Sequence, residues 1–158
     1  MSRVFNPHEP NVVTDTAIFF YTPTFYAFDS FSAFAIEIWD NIFPTAEHAY
    51  QWKKFQFSQS VVAEQILSAR SARDTKVFAD QHEDLVSPDW HGVKASCMEE
   101  IVRAKCLQHE KIRTLLAETG DCQIIENSPT DSYWGAGPDG DGQNQLGKIW
   151  MKLRDELQ

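Results

Sequence analysis

The pattern of apolar and polar positions predicts short strands near the start of the chain. Residues 16–21 are mostly β-branched or aromatic, which is typical of a buried strand. In residues 34–39 apolar side chains alternate with other residues, which is the period of a strand. Asp40 and Asn41 indicate a turn, so we expect residues 42–43 to pair back as a short hairpin.

After Pro44 the period changes to that of helices. Thr45 is a good N-cap, and the dozen residues that follow it contain neither Gly nor Pro. Gly120 is typical of the residue just beyond the end of a helix. Helices are predicted at residues 46–57, 60–70, 71–80, 88–108, 110–118 and 146–157, with a strand at 122–126. In the helix at 88–108, Asp89 is the predicted N-cap, and one face carries Val93, Cys97, Ile101 and Ala104.

These elements indicate an α+β fold, a mostly helical single domain with a small β-sheet. No internal repeat occurs, and no linker is long enough to separate two domains. We therefore expect one domain over residues 16–158. Residues 1–15, which include Pro7 and Pro10, are predicted to form a flexible N-terminal tail.

Composition and charge narrow the possible partners. The chain has 158 residues, of which 42% are hydrophobic, so it has enough apolar surface to form a core. Its 14 Lys and Arg against 23 Asp and Glu give a net charge of −9. Such a charge disfavours duplex nucleic acid and anionic membranes unless a local cationic cleft intervenes.

Cysteine usage and hydropathy predict the compartment. The three cysteines leave an odd thiol, and the first residues lack the apolar region of a secretion signal. No apolar run approaches the roughly 20 residues that span a bilayer. We expect a cytoplasmic protein that does not associate with membranes.

One face of the first predicted helix carries candidate chemistry. Glu47, Gln51 and Lys54 follow helical spacing, so a carboxylate and an amine converge there with an amide that orients a polar ligand. His48 and Trp52 lie on the neighbouring face and are expected to anchor the helix. The alternative is an ordinary solvated stripe, with Glu47 favoured by the helix dipole.

The segment 127–145 is the second candidate region, because glycine-dense loops that carry acids and aromatics often form sites. It contains the pattern G-x-G-x-x-G, but Pro138 interrupts the pattern and no helix opens inside it, so a dinucleotide site is excluded. Asp131 suits either catalysis or the capping of a turn. No ligand spacing for calcium or zinc is present, and we expect neither a metal nor a cofactor.

Two tryptophans are candidates for holding a base. Trp90 begins the long predicted helix, and Trp134 lies in the glycine-rich loop. Aromatic faces stack on nucleobases, although most tryptophans are simply buried. Ser32, between two phenylalanines, is better explained as a strand or loop residue than as a nucleophile.

Taken together, these segments resemble the YbiA-like family, which is also called NADAR. The resemblance extends from about Ile18 to Leu157. The matching patterns are F-S-x-F at residues 31–34, P-T-x-E-H-x-x-Q-x-x-K at 44–54, a Trp and a Met at 90 and 98 followed by Ala-Lys at 104–105, E-x4-D-x-x-W-G at 126–135, and G-x-G-x-N-x-L-G at 140–147, with Met151 and Arg154 in the last helix.

The resemblance implies hydrolysis of a bond between ribose C1 and a nitrogen. Family members act on ribosylamino-pyrimidine intermediates of riboflavin synthesis or remove ADP-ribose from guanine. It implies catalytic roles for Glu47, Asp131 and Lys54, where Lys54 binds phosphate, polarises the ribose or captures an opened sugar as a Schiff base. The implied substrate-binding residues are Ser32, Phe34, His48, Gln51, Trp90, Trp134, Gly135, Gly142 and Asn144.

Three functions remain open at this point. The first is an N-glycosidase acting on a small ribosylated, phosphorylated metabolite. The second is an ADP-ribosyl hydrolase acting on guanine in nucleic acid, which the net charge disfavours for duplexes. The third is a non-catalytic nucleotide or ADP-ribose binding module, supported by Ala33 where the family usually has Asn. Cys106 likewise replaces a usual Phe.

For catalysis we expect the glycine-rich loop to fold against the first helix. The carboxyl groups of Glu47 and Asp131 should then lie within about 12 Å of each other, since paired glycosidase acids are separated by up to about 9.5 Å.

Overall fold

The computed structural model describes residues 5–22, 26–57 and 59–158. By its internal contacts the chain divides into two compact units, one of Met1–Ser32 with His109–Gln158 and one of Ala33–Gln108. The first four residues of the predicted tail lie outside the described residues. The predicted domain boundaries, residues 1–15 and 16–158, stay a prediction.

Helices dominate the described residues, with short strands between them, which confirms the α+β class. The strands are β1 (Val12–Val13), β2 (Ala17–Phe20), β3 (Ile36–Ile38), β4 (Asn41–Phe43) and β5 (Gln123–Glu126). The α-helices are α1 (Ala46–Phe55), α2 (Ser60–Leu67), α3 (Ala72–Asp80), α4 (Trp90–Gln108), α5 (Glu110–Glu118) and α6 (Gln145–Leu157), and a short 3₁₀ helix covers Glu83–Leu85.

The first unit is built on a three-stranded sheet with the order β1-β2-β5. β1 pairs antiparallel with β2, and β2 pairs parallel with β5, where Ile18 lies opposite Ile124. All four residues of β2 are buried, as expected of a strand without alternating polarity. Helix α6 packs on β5, and Trp150 of α6 donates a hydrogen bond from its indole nitrogen to the Phe28 carbonyl at 3.0 Å.

The second unit surrounds α1, which packs against α2, α3, α4 and the β3–β4 hairpin. Nearly every side chain of α1 is buried, polar ones included. A helix covered on several sides holds its side chains in fixed rotamers. It is therefore a rigid support for polar groups that must keep a defined geometry.

The hairpin turn is displaced by one residue from the predicted one. The sequence indicated Asp40 and Asn41, but the residues with positive φ are Trp39 (53°) and Asp40 (59°). A two-residue hairpin of type I′ has positive φ at both central positions, which a bulky residue rarely adopts. Contacts compensate at Trp39: its ring stacks on Trp52 at 6.2 Å, and its indole nitrogen donates to Glu100 at 3.0 Å.

Helix α4 buries a wider face than predicted. Cys97 and Ile101 are buried as expected, whereas Val93 is 43% exposed and Ala104 is only half-buried. The remaining buried positions of α4 are Trp90, Met98, Val102, Lys105 and Cys106. In the described part of the chain, no helix combines the length and hydropathy needed to cross a bilayer.

Candidate functional site

The N-terminus of α1 is fixed by Thr45. Its side-chain oxygen accepts a hydrogen bond from the backbone N–H of His48 at 3.2 Å, as an N-cap does. Glu47 lies in this first helical turn. The helix dipole there favours a negative charge, so the local structure supports a carboxylate at this position.

Glu47 and Gln51 form a buried pair on α1. The two side chains are 6% and 4% exposed, and Gln51 Nε2 donates to Glu47 Oε1 at 2.7 Å. Only the amide nitrogen can donate to a carboxylate, so this bond fixes which way the Gln51 amide points. Gln51 Oε1 has no hydrogen-bond partner among the described residues. The pair therefore offers a ligand a held carboxylate and a neighbouring acceptor.

Lys54 completes the predicted polar face of α1. Its ammonium group donates to Glu83 Oε2 at 2.6 Å, with side-chain exposures of 9% for Lys54 and 56% for Glu83. The sequence analysis did not single out Glu83, which lies 29 residues further along the chain. No local pattern relates residues so far apart, and only the folded second unit brings them together.

His48 is held at both ring nitrogens by the protein. Nε2 lies 3.1 Å from the Ala69 carbonyl oxygen, which can only accept, so Nε2 carries the proton. Nδ1 is then the acceptor, and the Thr45 hydroxyl donates to it at 2.8 Å. Burial lowers the pKa of His48 despite opposing contributions from the Ala69 carbonyl and Asp74. The neutral ring ties α1 to the residues after α2, which favours a positioning role over substrate contact.

Trp90 is an anchor between helices. It is 4% exposed, and its ring lies 5.1 Å from that of Tyr50 on α1. This is the buried alternative that the sequence analysis raised for tryptophans. The contact fixes the start of α4 on α1, and its role as a base-stacking surface stays a prediction.

Phe34 lies above a buried lysine in the second unit. The Lys105 ammonium group is 5.3 Å from the centre of the Phe34 ring, and Lys105 is 1% exposed. A cation at this distance is attracted to the face of an aromatic ring. Lys105 was noted only as part of the family pattern, although its burial makes it a strong candidate for a role at the site.

Ser32, in the first unit, hydrogen-bonds within its own loop. The residue is 2% exposed, and its hydroxyl donates to the Asp29 carbonyl at 2.7 Å. Asp29 is itself 3% exposed and was not singled out from the sequence. Its Oδ1 accepts the backbone N–H of Phe31 at 2.8 Å, so it caps the same loop.

Asp131 caps the turn that carries Trp134. Its Oδ1 accepts the backbone N–H groups of Tyr133 at 2.8 Å and of Trp134 at 2.7 Å. Its own N–H donates to Ser128 Oγ at 3.0 Å. One carboxylate oxygen thus shapes the loop, as the capping alternative predicted. The catalytic role of Asp131 stays a prediction.

The glycines of this loop allow backbone segments to approach closely. A Cβ at Gly135 would lie 2.7 Å from the Glu126 carbonyl oxygen, which real side chains do not do. Gly142 donates its N–H to the Ala136 carbonyl at 2.7 Å, and a Cβ there would also collide with backbone. These positions therefore require glycine for the packing of the loop itself.

Asn144 joins the loop to β5. Its backbone is left-handed, with a φ of 50°. Its side-chain oxygen accepts the N–H of Glu126 at 3.0 Å, and its side-chain nitrogen donates to the Ile124 carbonyl at 2.9 Å. The amide thus continues the ladder of the strand as a peptide group would. This favours a structural role at the start of α6.

The predicted site residues therefore lie in two groups. Helix α1 brings together Glu47, Gln51 and Lys54, and the loop of the first unit brings together Asp131 and Trp134. That the two groups meet stays a prediction. In residues 5–22, 26–57 and 59–158, no three His, Cys, Asp or Glu side chains form a group that could hold a metal ion.

Comparison with known proteins identifies relatives over most of the chain. The model of the NADAR domain family matches residues 19–158. An N-glycosidase of Nostoc punctiforme is 38% identical over 131 residues, covering 82% of this chain and 84% of that protein. The N-glycosidase YbiA of Escherichia coli is 32% identical over 154 residues, covering 93% and 92%.

The fold has a solved counterpart. The NMR structure of Escherichia coli YbiA matches with a TM-score of 0.80 and 31% identity, covering 98% of this chain and 92% of that one. A riboflavin biosynthesis protein of Vibrio vulnificus is 33% identical over 150 residues, which cover 92% of this chain and 40% of that longer protein.

Proposed function

This chain belongs to the NADAR family and is an N-glycosidase, and we propose that it hydrolyses the bond between ribose C1 and a nitrogen in a small ribosylated metabolite. Two relatives are named N-glycosidases and cover 82% and 93% of the chain. A third is named a riboflavin biosynthesis protein, which supports a ribosylamino-pyrimidine intermediate of that synthesis as the substrate.

The observation that carries the proposal is the buried Glu47–Gln51 pair. A carboxylate that is 6% exposed is costly to bury, and its hydrogen bond from Gln51 Nε2 at 2.7 Å holds one of its oxygens in a fixed position. Catalytic sites retain such groups because a fixed charge in a dry environment acts strongly on charge that develops in a transition state.

The chemistry assigns one step to Glu47. The C1–N bond breaks with its electron pair leaving on the nitrogen, which takes up a proton. The positive charge that develops at C1 and the ring oxygen is stabilised by the Glu47 carboxylate. The oxygen of a water molecule then bonds to C1, and a carboxylate accepts the proton that this water releases. Asp131 is the second candidate for that proton transfer.

Two roles in the reaction are open to Lys54. Paired with Glu83 it is an ammonium, which binds a substrate phosphate or polarises a ribose oxygen. The Schiff-base route requires the neutral amine to condense with the aldehyde of an opened ribose and release water. Glu83 is the carboxylate placed to accept the proton that the ammonium must lose for that route.

Chromatography of reaction products tests the proposal. The purified chain is incubated with a ribosylamino-pyrimidinone phosphate, and release of the free pyrimidine and of ribose phosphate is followed with time. We expect turnover of this substrate. Binding without release would instead support the non-catalytic module, which Ala33 favours. The remaining alternative is an ADP-ribosyl hydrolase that acts on guanine in nucleic acid. Release of ADP-ribose from an oligonucleotide with ADP-ribosylated guanine, as a single strand and as a duplex, tests it.

A further inference from the structure

Asn127 carries a buried hydrogen-bond donor that the described chain does not satisfy. It follows β5 directly and is 1% exposed. Its backbone N–H donates to the Phe20 carbonyl at 2.7 Å, extending the pairing of β2 and β5 by one residue. Its side-chain nitrogen, Nδ2, has no hydrogen-bond partner among the described residues.

An unsatisfied buried donor needs an explanation, because buried polar groups in folded proteins are nearly always paired. A purely structural asparagine at this position is replaceable by an apolar residue, which removes the cost of the unsatisfied donor. Asn144 is an example of a structural asparagine, since its side-chain oxygen and its side-chain nitrogen both form hydrogen bonds with the backbone of β5. For Asn127 the natural partner is a ligand.

The position of Asn127 is that of a ligand-binding residue. It lies at the carboxyl end of the parallel pair β2 and β5, where open sheets commonly bind ligands. It also begins the turn that ends at Trp134 and Gly135. That turn closes tightly, because Ala136 N–H donates to the Glu126 carbonyl at 2.8 Å. Asn127 and the half-buried Trp134 therefore belong to one closed loop.

The charges of the loop indicate what Asn127 binds. Glu126 precedes it and Asp131 follows four residues later, so a phosphate or carboxylate would be repelled. A neutral acceptor such as a carbonyl oxygen is favoured instead. Trp134 offers a flat aromatic ring in the same loop, which suits a carbonyl carried by a heterocycle.

We propose that Asn127 Nδ2 donates a hydrogen bond to a ring carbonyl of the base, and thereby selects carbonyl-bearing bases over amino-bearing ones. This inference rests on the proposed function and specifies the substrate class. Pyrimidinones and guanine both carry such a carbonyl. An amino group at the same place would put a donor against the Nδ2 donor and leave both unsatisfied.

The experiment compares two substrates that differ in this group and in the proton on the ring nitrogen beside it. One is a ribosylamino-pyrimidinone phosphate, and the other carries an amino group in place of the ring carbonyl. We expect the unaltered protein to prefer the carbonyl substrate. Asn127→Ala should lower kcat/KM for that substrate by about 10- to 100-fold, the range of one lost specific hydrogen bond. It should not lower kcat/KM for the amino substrate, because it removes the donor that opposes the amino group.

A second variant and a matched control complete the design. Asn127→Asp replaces the donor by an acceptor, so the preference should shift towards the amino substrate. Asn41→Ala is the control, because the side-chain nitrogen of Asn41 already donates to the Trp39 carbonyl at 2.9 Å. It should lower the Tm and leave the ratio of the two substrates unchanged, whereas Asn127→Ala should not lower the Tm.

Equal losses of kcat/KM on both substrates would overturn the inference, and so would a lower Tm in Asn127→Ala. A chain that hydrolyses neither substrate would refute the proposed function instead. In that case calorimetry with the free pyrimidinone and its amino counterpart tests Asn127 separately. Weaker binding of the pyrimidinone alone in Asn127→Ala would support the inference, and unchanged binding would overturn it.

Discussion

At the scale of single residues, Glu47 is a buried carboxylate in the first turn of α1. The helix dipole favours it by about 0.3 to 1 kcal/mol, whereas burying a carboxylate costs several kcal/mol before compensation. Its hydrogen bond from Gln51 holds one oxygen in place. Gln51 Oε1, in the same pair, has no hydrogen-bond partner among the described residues, which supports the proposal that α1 binds a ligand.

Replacing Glu47 by Gln tests this interpretation. Glu47→Gln keeps the size of the side chain and one acceptor oxygen but removes the charge that we propose to face the developing cation. We expect kcat to fall by at least about 100-fold, the lower range for a lost general acid or base. KM should change much less, because the interaction belongs to the transition state. Steady-state kinetics on the ribosylamino-pyrimidinone substrate measures both.

Glu64→Gln is the matched control, since Glu64 is exposed on α2 and lies outside every motif. A small and equal effect of the two substitutions would show that the chemistry does not reside on α1. A loss of stability of about 1 kcal/mol with unchanged turnover would assign Glu47 to the helix dipole alone.

At the scale of elements, the sequence predicts the helices well because their signals are local. Thr45 caps α1 as predicted, and the strand at residues 17–20 follows from its apolar run. Features that depend on distant contacts were missed or displaced. The two-residue strand β1 exists only through its pairing with β2, and the turn at Trp39 is held by Trp52 and Glu100.

In the candidate site, too, features with a local sequence signal are predicted and features that depend on distant contacts are not. Helical spacing alone predicts that Glu47, Gln51 and Lys54 share a face. Nothing local in the sequence indicates that Glu83 pairs with Lys54, or that Asn127 Nδ2 has no hydrogen-bond partner within the described part of the chain, because both depend on tertiary structure. The capping of Asp131 was one of two open alternatives, which composition cannot separate.

The His48 contacts make the attachment of α1 sensitive to pH. The pKa of His48 is lowered from the ordinary value of 6.5. As the pH falls, the imidazole therefore binds a proton more readily in the unfolded chain than in the folded chain. The resulting contribution to stability is fully present above the unfolded pKa. It is lost as the pH falls from 6.5 towards the lowered pKa. We therefore expect urea unfolding at about pH 5 to need less denaturant than at about pH 7.5.

His48→Gln should reduce this pH dependence, while lowering stability at neutral pH because the ring contacts to Thr45 and Ala69 are lost. His91→Gln, at an exposed position, is the control and should behave like the unaltered protein. An equally steep loss of stability in His48→Gln would show that other groups cause the acid sensitivity.

At the scale of the whole molecule, charge limits the partners while the family defines the chemistry. A net charge of −9 opposes duplex nucleic acid, whose binding depends mainly on neutralised phosphates. A small metabolite has no such requirement, since one or two cations can hold its phosphate. Lys54 and Lys105 are buried, at 8% and 1% exposure, and we propose Lys54 as a cation that binds such a phosphate.

The last prediction concerns metal ions. The proposed step places a carboxylate against a developing cation, so it needs no Lewis acid at C1. The described residues also offer no group of three His, Cys, Asp or Glu ligands. Turnover of the ribosylamino-pyrimidinone substrate, followed by chromatography, should therefore be the same before and after dialysis against EDTA. Inactivation that Mg²⁺ or Zn²⁺ reverses, with an unchanged Tm, would contradict the mechanism and point to a metal held jointly by protein and substrate.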